Sequence, residues 1–366
     1  MSSDNLHVRN LEITPPLLLA PMAGLTHSAL RTLLMKFGGV GLLSTEMLSA
    51  RRLPAENPTI SPYLIRTDVE QPLSYQLFVT SSEDVIPAID ALHRFGADAI
   101  DFNLGCPAPN VRNAGGGCLL MNEMDTVRQM IGTARLATEL PLTAKIRLGE
   151  SLDKKKLKNF CLMLEGEGVD MLTVHARLRT EGFMRKPRWD WVGHVKEWLR
   201  IPVIANGSIF SVEDAKACLQ VSGADGLMIG RAAPEKPWIF SEIASELYNV
   251  DIPQQDIILP EIYNHVLNEL SRFRPERRLG RLKEFTHYFA RNYSFGHHLA
   301  SAVQSSRTVD EAWERAVSFF ASNDPEGLSV VRKSEPGSLS DLENRSEQFE
   351  KLRSDFHGFE ANSKAI

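Results

Sequence analysis

The chain has 366 residues, with 41 Lys and Arg against 46 Asp and Glu for a formal net charge of −5, and 43% of its residues are hydrophobic. That length holds one large barrel plus a small domain, and the acidic balance rules out global attraction to nucleic acid, so RNA contact would have to rest on local basic patches. The 4 cysteines lack C-x-x-C or Cys/His spacing, which argues against zinc and against a disulfide framework and for a reducing cytoplasm; no apolar run is long enough to span a bilayer, and the N-terminus has no signal-peptide layout.

Short β-like runs recur along the first two thirds of the chain: LLLAPMAG (17 to 24), GLLSTEML (41 to 48), LSYQLFV (73 to 79), AIDFNLG (99 to 105), LTAKIRL (142 to 148), MLTVHAR (171 to 177), PVIANGS (202 to 208) and GLMIGRA (226 to 232). Helical stretches lie between them, two with clear capping chemistry at Ser82 and at Ser211. Some eight alternations predict a (β/α)8 barrel. A doubly wound sheet is the alternative. It is disfavoured because polar groups cluster where the strands end, at Met22, Glu46, Gln76, Asn103, Lys145, Arg147, His175, Asn206 and Arg231, and only a barrel brings those ends to one mouth.

The stretch from Asp98 to Met121 is the centre of the reading. A strand rich in Ala99, Ile100, Phe102 and Leu104 stops at Gly105 and Pro107, with Cys106 at its end, where barrels place reactive groups. Asn110, Arg112, Asn113 and Gly115 to Gly117 follow, and are expected to form a flexible, polar, partly cationic lid. Most cysteines are inert small hydrophobes. Cys161 and Cys218 fit that description, each within a helical period, and Cys118 begins a packed segment.

Gly207 in A-N-G-S-I and Gly230 in I-G-R-A open turns after the last two strands. In this fold those turns are the usual phosphate site, and Arg231 adds a charge-assisted partner. Trp238 to Tyr248 reads as the final barrel helix, so residues 1–250 form the barrel. Residues 251–325 open with a linker and continue with helical period and no strand candidate, including the basic run SRFRPERRLGRLKEF (271 to 285). Residues 326–366 read as a polar extension, with a possible helical stripe of Leu342, Phe349, Leu352, Phe356 and Phe359.

In order, A-P-M-A-G (20 to 24), T-E-M (45 to 47), Y-Q-L-F (75 to 78), N-L-G-C-P (103 to 107), G-G-G-C-L-L-M (115 to 121), K-I-R (145 to 147), V-H-A-R (174 to 177), A-N-G-S-I and M-I-G-R resemble the tRNA-dihydrouridine synthases, and R-L-K-E-F from 281 is similar to the start of part of that family's RNA-binding domain. The resemblance implies an FMN-dependent reduction of a uridine in tRNA, with NADPH as reductant. It implies that Pro21, Met22, Ala23, Gln76, Lys145, His175, Asn206, Gly207, Ser208, Gly230 and Arg231 hold FMN, with Cys106 as catalytic acid. The motifs look closest to the bacterial C-type subclass, which acts on a D-loop uridine, commonly position sixteen. The segment T-E-G-F-M-R-K-P-R-W departs from the family's Tyr-x-Gly-x-Ala pattern.

Hydride delivery to C6 of uracil leaves enolate character at C5 that must be protonated. An ordinary thiol, with a pKa of about 8.5, can supply that proton at neutral pH. Asn103 is expected to read an edge of the base, Arg147 to stabilise charge on it, and Arg177, Arg277, Arg278 and Arg281 to meet tRNA. An unpaired loop uridine leaves its stack at low cost, which favours tRNA over duplex. The expected assembly is a cytoplasmic monomer without metal or membrane. Two competing readings are a small-molecule flavoenzyme of the dihydroorotate dehydrogenase type and a non-catalytic RNA-binding barrel; the basic helical segment counts against the first, and Cys106, Lys145 and His175 against the second.

Overall fold

A computed structural model describes residues 5–327, which separate into two compact units divided between Pro253 and Gln254. The stripe at Leu342 to Phe359 lies outside the described residues. Position 326, the expected start of the extension, falls within the last helix, Val309–Gly327.

Eight parallel strands make the ring of the first unit, β1 (Leu17–Leu19), β2 (Leu43–Ser44), β3 (Leu73–Phe78), β4 (Ala99–Leu104), β5 (Leu142–Arg147), β6 (Met171–His175), β7 (Val203–Asn206) and β8 (Gly226–Ile229), and a ninth short strand, Leu48–Ser49, pairs with β3. Each pairs with its neighbour in chain order from β2 to β8, β8 pairs with β1, and a single bridge from Leu18 to Leu42 closes the ring. The architecture is a (β/α)8 barrel. A short antiparallel hairpin, Leu6–Val8 with Leu11–Ile13, precedes it and packs beside Leu18, Ile204 and Met228.

Register explains how the polar residues meet. Gln76 lies opposite Asp101 and Asp101 opposite Thr143, Asn103 lies opposite Lys145, and Arg147, His175 and Asn206 form a further row. With a period of two along each strand, the apolar set Ile100, Phe102 and Leu104 shares one face of β4 while Asp101 and Asn103 share the other. The helix Val212–Ser222 shows how local sequence sets the intervening turns. Ser211 accepts from the Asp214 amide at 3.2 Å, Asp214 accepts from the Phe210 amide at 2.9 Å, and Gly223 ends the helix in the left-handed region.

The second unit is helical, with Leu259–Leu270, Pro275–Phe289, Gly296–Gln304 and Val309–Gly327. Buried Tyr263 sits among Phe285, Phe289, Trp313 and Phe320, and its hydroxyl lies 2.8 Å from Thr286 Oγ1. The basic run divides in its roles. Arg278 donates to the carbonyls of Phe273 and Ser271 at 2.7 and 2.8 Å, closing the turn between two helices, and Arg272 pairs with Glu269. Arg281 covers the Phe273 ring at 5.4 Å, whereas Arg274 and Arg277 are exposed.

Candidate active site at the mouth of the barrel

A cavity of about 200 Å³ opens at the C-terminal ends of the strands, the end that carries the chemistry in barrels. Pro21, Met22, Asn103, Cys106, Lys145, Arg147, His175, Arg177, Asn206, Gly207, Ser208, Gly230 and Arg231 all line it. Ala23 and Gln76 do not. Ala23 is exposed, and Gln76 is 1% exposed and spends its amide on Asn103 and Asp101. Arg277, Arg278 and Arg281 belong to the second unit.

Among the described residues no carboxylate lines this cavity, while Lys145, Arg147, Arg177 and Arg231 do. Lys145 Nζ donates to Asn206 Oδ1 at 3.0 Å, and Asn206 Nδ2 donates onward to the Met228 carbonyl at 2.7 Å. Burial lowers the Lys145 ammonium to about 8; Asp101 opposes that fall and Arg147 adds to it. His175 is held well below its ordinary value by burial and by the surrounding cations, Lys145 first among them.

The loop after β6 is gripped from below. Arg147 donates to the carbonyls of Leu178 and Glu181 at 2.9 and 3.1 Å. Arg177, 1% exposed, donates to the carbonyls of Arg185 and Phe183 at 2.7 and 3.1 Å and to Ser208 Oγ at 2.7 Å. Arg188 closes the loop on Glu181 through two bonds of 2.6 and 2.7 Å. The two guanidiniums expected to face substrate thus line the cavity while bonding to loop backbone.

That loop delivers Phe183, which the motif reading passed over. Its ring stacks near His175 at 6.2 Å and lies 4.3 Å from the Arg231 guanidinium, which also meets Phe210 at 5.3 Å. No spacing signal marks Phe183. Its position follows from the carbonyl bonds on either side of it.

Within the segment expected to form a lid, Gly116 and Gly117 are packed tightly against the chain. A Cβ on Gly116 would lie 2.1 Å from Phe78 Cε2, and one on Gly117, whose φ is 62°, would lie 2.5 Å from the Cys106 carbonyl oxygen. The Cys118 amide donates to that same oxygen at 3.1 Å. These glycines allow chain to pack on chain, and none of them lines the cavity. Cys106 is half-buried; Cys118, Cys161 and Cys218 are buried.

Among the described residues no helix is long and apolar enough to cross a membrane, and no group of three His, Cys, Asp or Glu is placed to hold a metal. Comparison with known proteins gives a consistent family. The family model described as dihydrouridine synthase (Dus) matches residues 18–331. "Probable tRNA-dihydrouridine synthase 1" of Synechocystis sp. is 35% identical over 239 residues, 65% of this chain and 67% of that protein. "Probable tRNA-dihydrouridine synthase" of Rickettsia conorii is 34% identical over 270 residues, 72% of this chain and 81% of that one. "tRNA-dihydrouridine synthase B" of Pseudomonas putida is 35% identical over 253 residues, 68% and 75% respectively. Among solved structures, a 2-naphthoyl-CoA reductase complex aligns with TM-score 0.51 at 9% identity over 67% of this chain, and histamine dehydrogenase from Rhizobium sp. 4-9 with 0.50 at 12% over 72%. This chain spans about half of each, 52% and 50%, and the likeness is one of fold.

Proposed function

The chain belongs to the dihydrouridine synthase family, and from that premise we propose how its mouth divides the work of reducing a tRNA uridine to dihydrouridine with a flavin. The flavin is FMN, reduced by NADPH. The lining suits such a group, since an acid-free cavity with four cationic side chains favours a phosphate-bearing ligand, and Gly207 and Ser208, with φ of 130° and 54°, turn the chain sharply at β7. Pro21, Met22, Lys145, His175, Asn206, Gly207, Ser208, Gly230 and Arg231 are its holders. Ala23 and Gln76 contribute from outside the lining.

Bound reduced flavin supplies a hydride equivalent to C6 of uracil. The protein's own tasks are to hold the base and to protonate C5. Cys106 is the proton donor: among the cysteines it alone lines the cavity, and that observation carries the assignment. Its S–H proton passes to C5, and the thiolate is reprotonated from solvent, which its partial exposure allows. Asn103, with its carbonyl on two backbone amides and one N–H on Gln76, offers its remaining N–H to the base, and Lys145 and Arg147 offset charge on the base carbonyls. Exposed Arg277 and the rim of the β6 loop meet tRNA phosphates. All four cysteines are free thiols, in keeping with action in a reducing cytoplasm.

Cys106→Ala tests this reading. The variant should keep its flavin and oxidise NADPH at the normal rate, while single-turnover formation of dihydrouridine falls by about 10²- to 10⁴-fold. Equal losses in Cys106→Ala and Cys118→Ala would remove the assignment.

A further inference from the structure

Asp101 does not line the cavity, yet a directional run of hydrogen bonds leads from it to the backbone of Cys106. It is 5% exposed and both its oxygens are used, Oδ1 by the Thr143 hydroxyl at 2.6 Å and Oδ2 by Gln76 Nε2 at 2.7 Å. A carboxylate only accepts, so Gln76 must turn its NH2 toward Asp101 and its carbonyl toward Asn103. Asn103 then donates to Gln76 Oε1 at 2.8 Å. Its own carbonyl is left to accept from the amides of Cys106 at 2.9 Å and Gly105 at 3.3 Å.

The two ends therefore agree on the direction of every amide in the run, since the carboxylate only accepts and the Cys106 and Gly105 amides only donate. An inverted run would aim the Asn103 NH2 at two backbone N–H groups, opening the turn on which Cys106 sits. Burial raises the Asp101 carboxyl, while Thr143, Gln76 and Lys145 favour its ionised form.

We propose that Asp101 is a positioning residue for the proton donor, acting through the fixed polarity of Gln76 and Asn103 on the placement of Cys106. The proposal rests on Cys106 being that donor.

The polarity can be reversed by design. In Asp101→Asn, the new NH2 can turn to the Thr143 hydroxyl, which accepts as readily as it donates, so the run survives. Adding Thr143→Val removes that acceptor and turns the Asn NH2 onto Gln76, inverting the run. Adding Gln76→Glu as well restores an acceptor-only group in the middle, and Asn103 returns to its original orientation.

Two quantities are measured on flavin-loaded protein: alkylation of Cys106 by iodoacetamide, the other three thiols being buried, and single-turnover dihydrouridine formation in tRNA. Asp101→Asn should stay within about threefold of the parent in both. Asp101→Asn with Thr143→Val should lose about 10²-fold in product formation and change the alkylation rate, with NADPH oxidation unaltered. Compared with the double variant, the triple variant should regain product formation and return the alkylation rate of Cys106 toward that of the parent. Failure of a folded triple variant to recover, or no effect of the double variant, overturns the proposal. Should the double variant not fold, a severe effect of Asp101→Asn alone overturns it by showing that charge rather than bond direction matters, and near-parental behaviour supports it. Cys106→Ala separates this from the parent reading: if that variant forms dihydrouridine normally, the donor assignment fails, and if it is inactive while the double variant is normal, only the role of Asp101 fails.

Discussion

Arg177 Nη1 lies 3.2 Å from Nε2 of His175, and because a guanidinium only donates, the imidazole presents a lone pair there and carries its proton on Nδ1. Burial foremost, then Lys145, Arg147, this same cation and Arg231, keep the ring neutral. Unfolded chains bind a proton at histidine near pH 6.5, and this folded site resists doing so. Between pH 6.5 and the depressed value the unfolded state therefore holds more protons, and stability falls as pH falls. His175→Gln should flatten that part of the pH profile, as read by melting temperature between about pH 5 and 7.

Lys145 gives a step at higher pH. Its ammonium, lowered to about 8, is charged below that value, and an anionic group bound beside it favours the charged form. Flavin affinity should thus weaken as pH rises through about 8, followed by the fluorescence of released flavin. Lys145→Met should abolish the step and weaken binding by about 10- to 100-fold, the worth of one charge-assisted hydrogen bond.

In the helical unit, two neighbouring arginines should behave oppositely. Arg277→Ala, at an exposed position, should weaken tRNA binding and lower the slope of log K against log salt by about 0.7 to 0.9, with the melting temperature unchanged. Arg278→Ala removes two bonds to backbone carbonyls and should lower the melting temperature with little change in slope. A salt slope altered by Arg278→Ala alone would reverse the assignment.

Glycines two positions apart also differ. Gly117→Ala meets the Cys106 carbonyl at 2.5 Å in addition to its left-handed backbone, so it should cost about 2 kcal/mol or more and displace the thiol. Gly115→Ala has the backbone penalty alone, with nothing within 4 Å, and should cost about 1 kcal/mol. Urea midpoints of the two variants give the comparison.

The barrel was legible because its cues are local: eight apolar runs closing on polar groups, each bounded by turn chemistry. The strand-end residues from Asn103 to Arg231 likewise meet at the mouth, as the fold requires. What stayed hidden depends on partners distant in sequence. Gln76 sits one layer below the mouth because β3 is in register with Asp101, a pairing no single strand announces. Asp101 itself had a signal, since it shares with Asn103 the polar alternation of β4. For Arg147 and Arg177, charge suggested an outside ligand, whereas the partners are carbonyls supplied by the chain.

That choice of partner bears on how the rim can change over time. Leu178, Glu181, Phe183 and Arg185 are all held by main-chain oxygens, which every amino acid possesses. Glu181 apart, whose carboxylate also takes Arg188 and the Leu178 amide, this anchorage does not depend on side-chain identity, and substitutions at the other positions along 178–186 can alter what the rim touches without unfastening it. Exposed Met184 and Lys186 are two positions where the rim can present a different surface on the same loop.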